Sequence, residues 1–308
     1  MTQILFSAFS FFFATATLQP NLSSVEDGAI HDFQFGYSME SPDKTFELDS
    51  ALDEISGLTL SADARYLLAN NDELGIVYFL NKETGEIVKE LTFQDEGDYE
   101  GIEIVGNKAF IVKSKGTIYE IEDINAPELK VNKYGCFLTK ENDVEALGYD
   151  AKNNRLLMGC KGKSGDGEEY LRKKAVFAFD LVNMKLIEEP IFMVTLEDVC
   201  SYLGACSLHR EVLDNLNEFF NPQGEILNFS PSSLAIHPIT GHIYITSSKG
   251  KMILVLDAQG KVLHIEKLQK SLHPQPEGLC FEKDGTMWIS NEAKKDAPAR
   301  LYKFAYKL

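Results

Sequence analysis

The sequence predicts an all-β fold, a five-bladed β-propeller, on three observations. A triplet of Ser or Glu, a small residue and an aliphatic residue recurs five times. The copies are Ser56-Gly57-Leu58, Glu100-Gly101-Ile102, Glu145-Ala146-Leu147, Ser232-Ser233-Leu234 and Glu277-Gly278-Leu279. Successive copies start 44, 45, 87 and 45 residues apart. Each is followed by a hairpin-like turn ("SADAR", "VGNK", "DAKNNR", "HPITGH", "EKDGT") and an apolar second strand ("YLLAN", "AFIVK", "LLMGC", "IYITS", "MWISN"). Four strands in about 45 residues is the spacing of a propeller blade.

The elements follow in chain order. Residues 1–20 are apolar from Ile4 to Leu18 and carry Ala14-Thr15-Ala16, a small-residue cleavage pattern. They are expected to be an export signal, which places the protein outside the cytoplasm, periplasmic or secreted. No Lys or Arg precedes Lys44, so an uncleaved membrane tether is the alternative. Residues 21–40 are expected as a linker and 41–308 as one propeller domain. Third and fourth strands follow the first two, as in "GIVYFLNKETGEIVKELTF" and "MILVLDAQGKVLHIEKL". The long step holds "TLEDVCSYLGACSLHREVLDNLNEFFNPQG", which has few β-branched residues and reads as a helical insertion between blades three and four, about 196–229. The last repeat has room for three strands only. The stretch "KTFELDS" supplies the fourth and closes the ring, with residues near Thr45 pairing with residues near Tyr302.

Composition excludes some partners. The formal net charge is −17. That disfavours nucleic acid, whose phosphates need clustered Lys and Arg, and docking on an anionic membrane. Of five cysteines, Cys160 and Cys280 lie in apolar strands and are expected as buried thiols, and Cys136 is isolated. Cys200 and Cys206 either bridge across a turn at Gly204 or stay as two thiols. No zinc-type cysteine or histidine spacing and no G-x-S-x-G elbow occurs. "GCKGKSGDG" lacks the first glycine of a phosphate loop, Leu157 standing in its place. The loop from Lys161 to Lys174 is expected to join the second and third strands of blade three as a solvated loop; the alternative is that it stands over the channel mouth and shapes a pocket. His237 and His242 flank a turn and are expected at the surface.

The first strand of each propeller blade lines the central channel. Glu100, Glu145 and Glu277 then converge on its mouth, with Ser56 and Ser232 completing the ring. Second strands bring Asn71, Asp72 and Glu292 to the same face. Two carboxylates about 6 Å apart repel by about 3 kcal/mol at an effective dielectric near 20. Such a cluster binds protons, recruits lysines or holds a cation. Lys113 and Lys161 are the lysines within reach. A donor set of oxygens without His or Cys suits Ca²⁺.

The order of the triplets, together with "GDYEGI", "PSSLAIHP" and "PEGL", resembles the SdiA-regulated (YjiK-like) β-propeller family over residues 36–308. The resemblance implies a five-bladed, exported or membrane-associated propeller with a calcium site and no assigned activity. The helical insertion departs from it. Two functions compete. One is an extracytoplasmic calcium-binding module for a small molecule, glycan or protein at the channel face. The other is a calcium-dependent hydrolase of the lactonase or phytase type. A scaffold that meets a partner through the insertion is a third.

Overall fold

A computed structural model describes residues 33–206, 208–222, 226–295 and 297–308. The expected export signal lies outside them. Strand β1 (Lys44–Glu47) precedes blade one, which is β2 (Ile55–Leu60), β3 (Tyr66–Asn71), β4 (Ile76–Asn81) and β5 (Ile87–Thr92). Blade two is β6 (Tyr99–Val105), β7 (Lys108–Lys113), β8 (Ile118–Ile121) and β9 (Val131–Tyr134). Blade three is β10 (Val144–Asp150), β11 (Arg155–Cys160) and β12 (Lys173–Asp180), with β13 (Lys185–Leu186) and β14 (Phe192–Thr195) both paired on β12. Helices α1 (Leu196–Ala205) and α2 (Arg210–Phe220) form the expected insertion. Blade four is β15 (Pro231–Ile236), β16 (Ile243–Ser247), β17 (Met252–Leu256) and β18 (Val262–Lys267). Blade five is β19 (Pro276–Phe281), β20 (Met287–Asn291) and β21 (Arg300–Phe304), completed by β1. Thr45 pairs with Tyr302, the register expected for closure. The protein is a five-bladed β-propeller.

The triplet has a physical reason at each position. The innermost strands β2, β6, β10, β15 and β19 pack on one another in a closed ring. A Cβ on Gly101 would stand 2.8 Å from Leu147 Cβ in the next blade, and one on Gly278 2.4 Å from Leu58 Cβ. Both are closer than carbon atoms approach, so the middle position is small because the next blade occupies the space. The aliphatic position fills the interface between blades: Leu58, Ile102, Leu147, Leu234 and Leu279 are all buried.

Five apolar clusters lie between successive blades. Trp288 and Phe110 are core residues, as expected. The cluster between blades three and four also takes Leu196, Val199, Leu203, Leu216 and Phe220 from the helices. The insertion is therefore part of that core. Thr195 caps α1 by accepting from the Asp198 amide at 3.1 Å. Cys200 and Cys206 are free thiols.

The span 21–40 was expected as a linker, yet its described part belongs to the fold. Phe33, Phe35, Tyr37 and Met39 pack on the cluster between blades four and five, and Met39 is buried. His237 also differs from expectation. It is fully buried at the end of β15, away from the surface position that its turn suggested. Its Nε2 meets the Tyr37 hydroxyl at 2.8 Å, and that hydroxyl donates to the Gly285 carbonyl at 2.6 Å. Its Nδ1 accepts from the amides of Ile239 and Thr240 at 3.3 and 3.2 Å. Only the Nε2–H tautomer satisfies all four contacts. The ring is held in place by a segment 200 positions away in the chain.

Candidate functional site

The first residue of each triplet sits at a break in the ladder. Strand register shifts between Ile55 and Gly57, Tyr99 and Gly101, Val144 and Ala146, Pro231 and Ser233, and Pro276 and Leu279. Ser56, Glu100, Glu145, Ser232 and Glu277 are thus the bulged residues of five equivalent strands. A bulge leaves one residue unpaired and re-aims its side chain. Here it turns all five into one cavity of about 230 Å³ at the channel mouth, with Asp72, Glu292, Lys161 and Gln275.

Five carboxylates share that cavity with one amine. Lys161 pairs with Glu145. Burial, together with Glu145 and Asp98, pushes the Glu100 carboxyl up to about 9. Burial raises Glu145 to about 7 against the pull of Lys161. Glu277 lies well above the usual carboxylate range, from burial and then the charge of Glu292. Glu292 rises to about 7 through burial, with Asp72 and Glu54 adding repulsion. Asp72 rises to about 6 for the same reasons, burial first and then Glu54, and its Oδ1 is buried without a hydrogen-bond partner. Burial draws the Lys161 amine down, but Glu145 beside it leaves it above its ordinary value. Positive charge is short at the mouth.

Other expected members are placed differently. Ser56 lines the cavity. So does Ser232, whose hydroxyl donates to the Pro276 carbonyl at 2.9 Å and ties blade four to blade five. Asn71 is not among the lining residues. Its Oδ1 accepts from the Leu74 amide at 2.8 Å and its amide nitrogen donates to the Ala51 carbonyl at 3.3 Å. Lys113, expected to neutralise the ring, lies instead over the Tyr99 ring, 4.5 Å from its centroid. Three groups near the site were not singled out in the sequence. Gln275 hydrogen-bonds Glu292, and Glu54 crowds Asp72. Glu103, deeper on β6, accepts from Thr59 at 2.9 Å, and burial lifts its carboxyl to about 7. The sequence signal for Glu103 was available: it lies three residues after Glu100 in a strand otherwise apolar from Ile102 to Val105.

In this arrangement no three described Asp, Glu, His or Cys side chains stand close enough to grip one metal ion. The carboxylates are spread around the cavity wall. The donor set itself, oxygen throughout and net negative, has the chemistry of a hard-cation site.

Beside the mouth, and sharing Lys161 with it, is a cavity of about 610 Å³. The expected loop from Lys161 to Lys174 forms one wall, and residues 226–230, after the helices, form another.

One solved structure agrees with the fold, and a second matches in coverage only. Glutaminyl cyclase from Myxococcus xanthus superposes with a TM-score of 0.56 at 13% identity, over 86% of this chain and 94% of that one. A luciferin-regenerating enzyme gives 0.47 at 11% identity, over 86% of this chain and 95% of its own. At these identities the likeness concerns the fold alone. The SdiA-regulated family matches residues 35–163 and 223–305. That match covers most of the chain and spans every triplet, and so the protein belongs to the SdiA-regulated family.

Proposed function

We propose that the protein is an extracytoplasmic binding module whose channel mouth takes a hard divalent cation, Ca²⁺, and presents it to a ligand. One observation carries the reading. Five carboxylates line one small cavity with a single amine among them. Glu100, Glu145 and Glu277 would hold the ion, with Asp72 and Glu292 beside them. The unpartnered Oδ1 of Asp72 is the atom that most needs a cation or a proton. Bound Ca²⁺ would supply positive charge and open coordination positions toward the channel axis. The chain's own part is to aim the leading side chains into one cavity through the five bulges; the acids stand too far apart to grip an ion as they are, so binding would draw them together. The extracytoplasmic placement rests on the apolar run of residues 4–18.

Isothermal titration with Ca²⁺, on chelator-treated protein, tests the proposal. Wild type should bind one ion and release protons, because carboxyls held protonated by burial must ionise to ligate it. Glu100→Gln copies the protonated form, so at pH 7 the metal-free protein should keep its stability while the affinity falls about tenfold or more. No heat and no proton release in wild type would overturn the cation reading. Turnover of lactones or phosphoesters by the loaded protein would replace the binding module with the hydrolase.

A further inference from the structure

The 610 Å³ cavity next to the mouth is within the size range of small-molecule sites, and nothing in the cation reading uses it. Its walls are pinned to each other by the Leu227 amide, which donates to the Leu171 carbonyl at 2.9 Å. Leu171 is 50% exposed, one of few large apolar side chains so placed, and it lines this space with Ile226 and Tyr170. The polar side is cationic. Lys174 Nζ donates to the carbonyl oxygens of Lys161 and Gly162, the latter at 2.9 Å; Asp143 attracts it from nearby, and among the described residues no carboxylate bridges it. Lys249 lines the same cavity and repels it. Burial, and then Lys249, lowers the Lys174 amine to about 8. Of the acids that line the cavity, Glu141 is paired with Lys163 at 2.8 Å. Asp166 and Glu168 are the others.

We infer that this cavity is a second binding site, for a small organic acid whose carboxylate meets Lys174 and Lys249 and whose apolar body lies against Leu171, Ile226 and Tyr170. A half-buried amine whose hydrogen bonds go to neutral carbonyls has no carboxylate in direct contact among the described residues, and a ligand carboxylate adds charge-assisted hydrogen bonds there. Exposed apolar surface at the same place removes hydrocarbon from water. The site goes beyond the cation reading and does not depend on it.

The test compares three probes of one shape in the presence of chelator: 4-phenylbutyrate, its neutral amide 4-phenylbutanamide, and the cation 4-phenylbutylamine. By calorimetry the acid should bind about tenfold or more tighter than the amide, and the amine weakest. Lys174→Met should remove the preference for the acid and leave amide binding within about twofold. Lys249→Gln, on the exposed side, should reduce acid affinity about threefold and serves if Lys174→Met does not fold. Leu171→Asp should weaken acid and amide alike. Equal binding of acid and amide, tighter binding of the amine, an unchanged acid preference in Lys249→Gln, or no binding of the acid would each overturn the inference.

Discussion

Strands β15 and β19 end in two different environments. At the mouth they start with Ser232 and Glu277, among five carboxylates that share one amine. At the other end they run into His237 and Phe281, packed with Tyr37, Tyr244 and Tyr306. At this base the His237 ring nitrogens and the Tyr37 hydroxyl all have partners. At the mouth, Asp72 Oδ1 has none, and like charges raise one another's pKa. The same strands thus run from a mouth short of positive charge to a base where His237 and Tyr37 are fully bonded. Satisfied networks specify a fold, while unsatisfied ones persist where a ligand completes them.

The largest effect should come from breaking the base. His237→Ala strands two amides, takes one of the two partners of the Tyr37 hydroxyl and leaves a cavity, and should cost about 3 kcal/mol in urea unfolding. A loss below about 0.5 kcal/mol would show that the base is no better braced than an ordinary surface turn. Completing the mouth is next. Free Ca²⁺ at about 100 times its dissociation constant should stabilise the protein by about 2.7 kcal/mol, read from thermal melts with and without chelator.

The ends should also respond oppositely to pH. Burial, and then His242, lowers His237 at the base to about 4. Its folded pKa lies below the unfolded one, so its stability is present above about 6.5 and is lost as pH falls toward 4. Glu100, Glu145 and Glu292 have folded values above the unfolded 4.5, at about 9, 7 and 7. Their contribution is present below about pH 4.5 and is lost as pH rises through 7 to 9. Metal-free protein should therefore have an alkaline limb that Ca²⁺ flattens and an acid limb that Ca²⁺ leaves in place. A calcium effect on the acid limb alone would reverse the comparison. The smallest effect should be Lys113→Met. It removes a cation–π contact with Tyr99, should cost about 0.5–1 kcal/mol, and should leave Ca²⁺ affinity unchanged.

The blade count, the closing strand and the helical insertion were legible because each rests on a local, repeated pattern. The triplets mark the inner strands, the tight turns mark the hairpins, and the seven-residue stretch before the first triplet is the missing strand. The five leading residues of the triplets were legible as a set, since they share one register. The reason they converge was not, because a bulge depends on how a strand pairs, and spacing along one chain does not reveal it. Lys113 was misassigned for a related cause: it pairs with Tyr99 as Cys160 pairs with Val144, one residue short of the position of Lys161, and the ring of Tyr99 captures its amine. His237 was read from its turn alone. Its burial is set by Tyr37, in a stretch whose composition suggested a linker. Asn71 was placed by strand position, and its loop bonds decide otherwise.

The clasp between β1 and β21 has a kinetic consequence. Blades one, two and four are meanders whose strands lie close in sequence, so they can fold early and locally. The last blade cannot. Glu47 and Arg300, an ion pair at 3.2 Å, are 253 positions apart. Closing a loop of that length costs about 5 kcal/mol of chain entropy before any contact repays it. During synthesis β1 emerges first and waits, as an unpaired edge, until residue 304 has left the ribosome. Ring closure is then the late, non-local step of folding, and the mouth gains its last wall, Glu277 and Glu292, only when that step is complete.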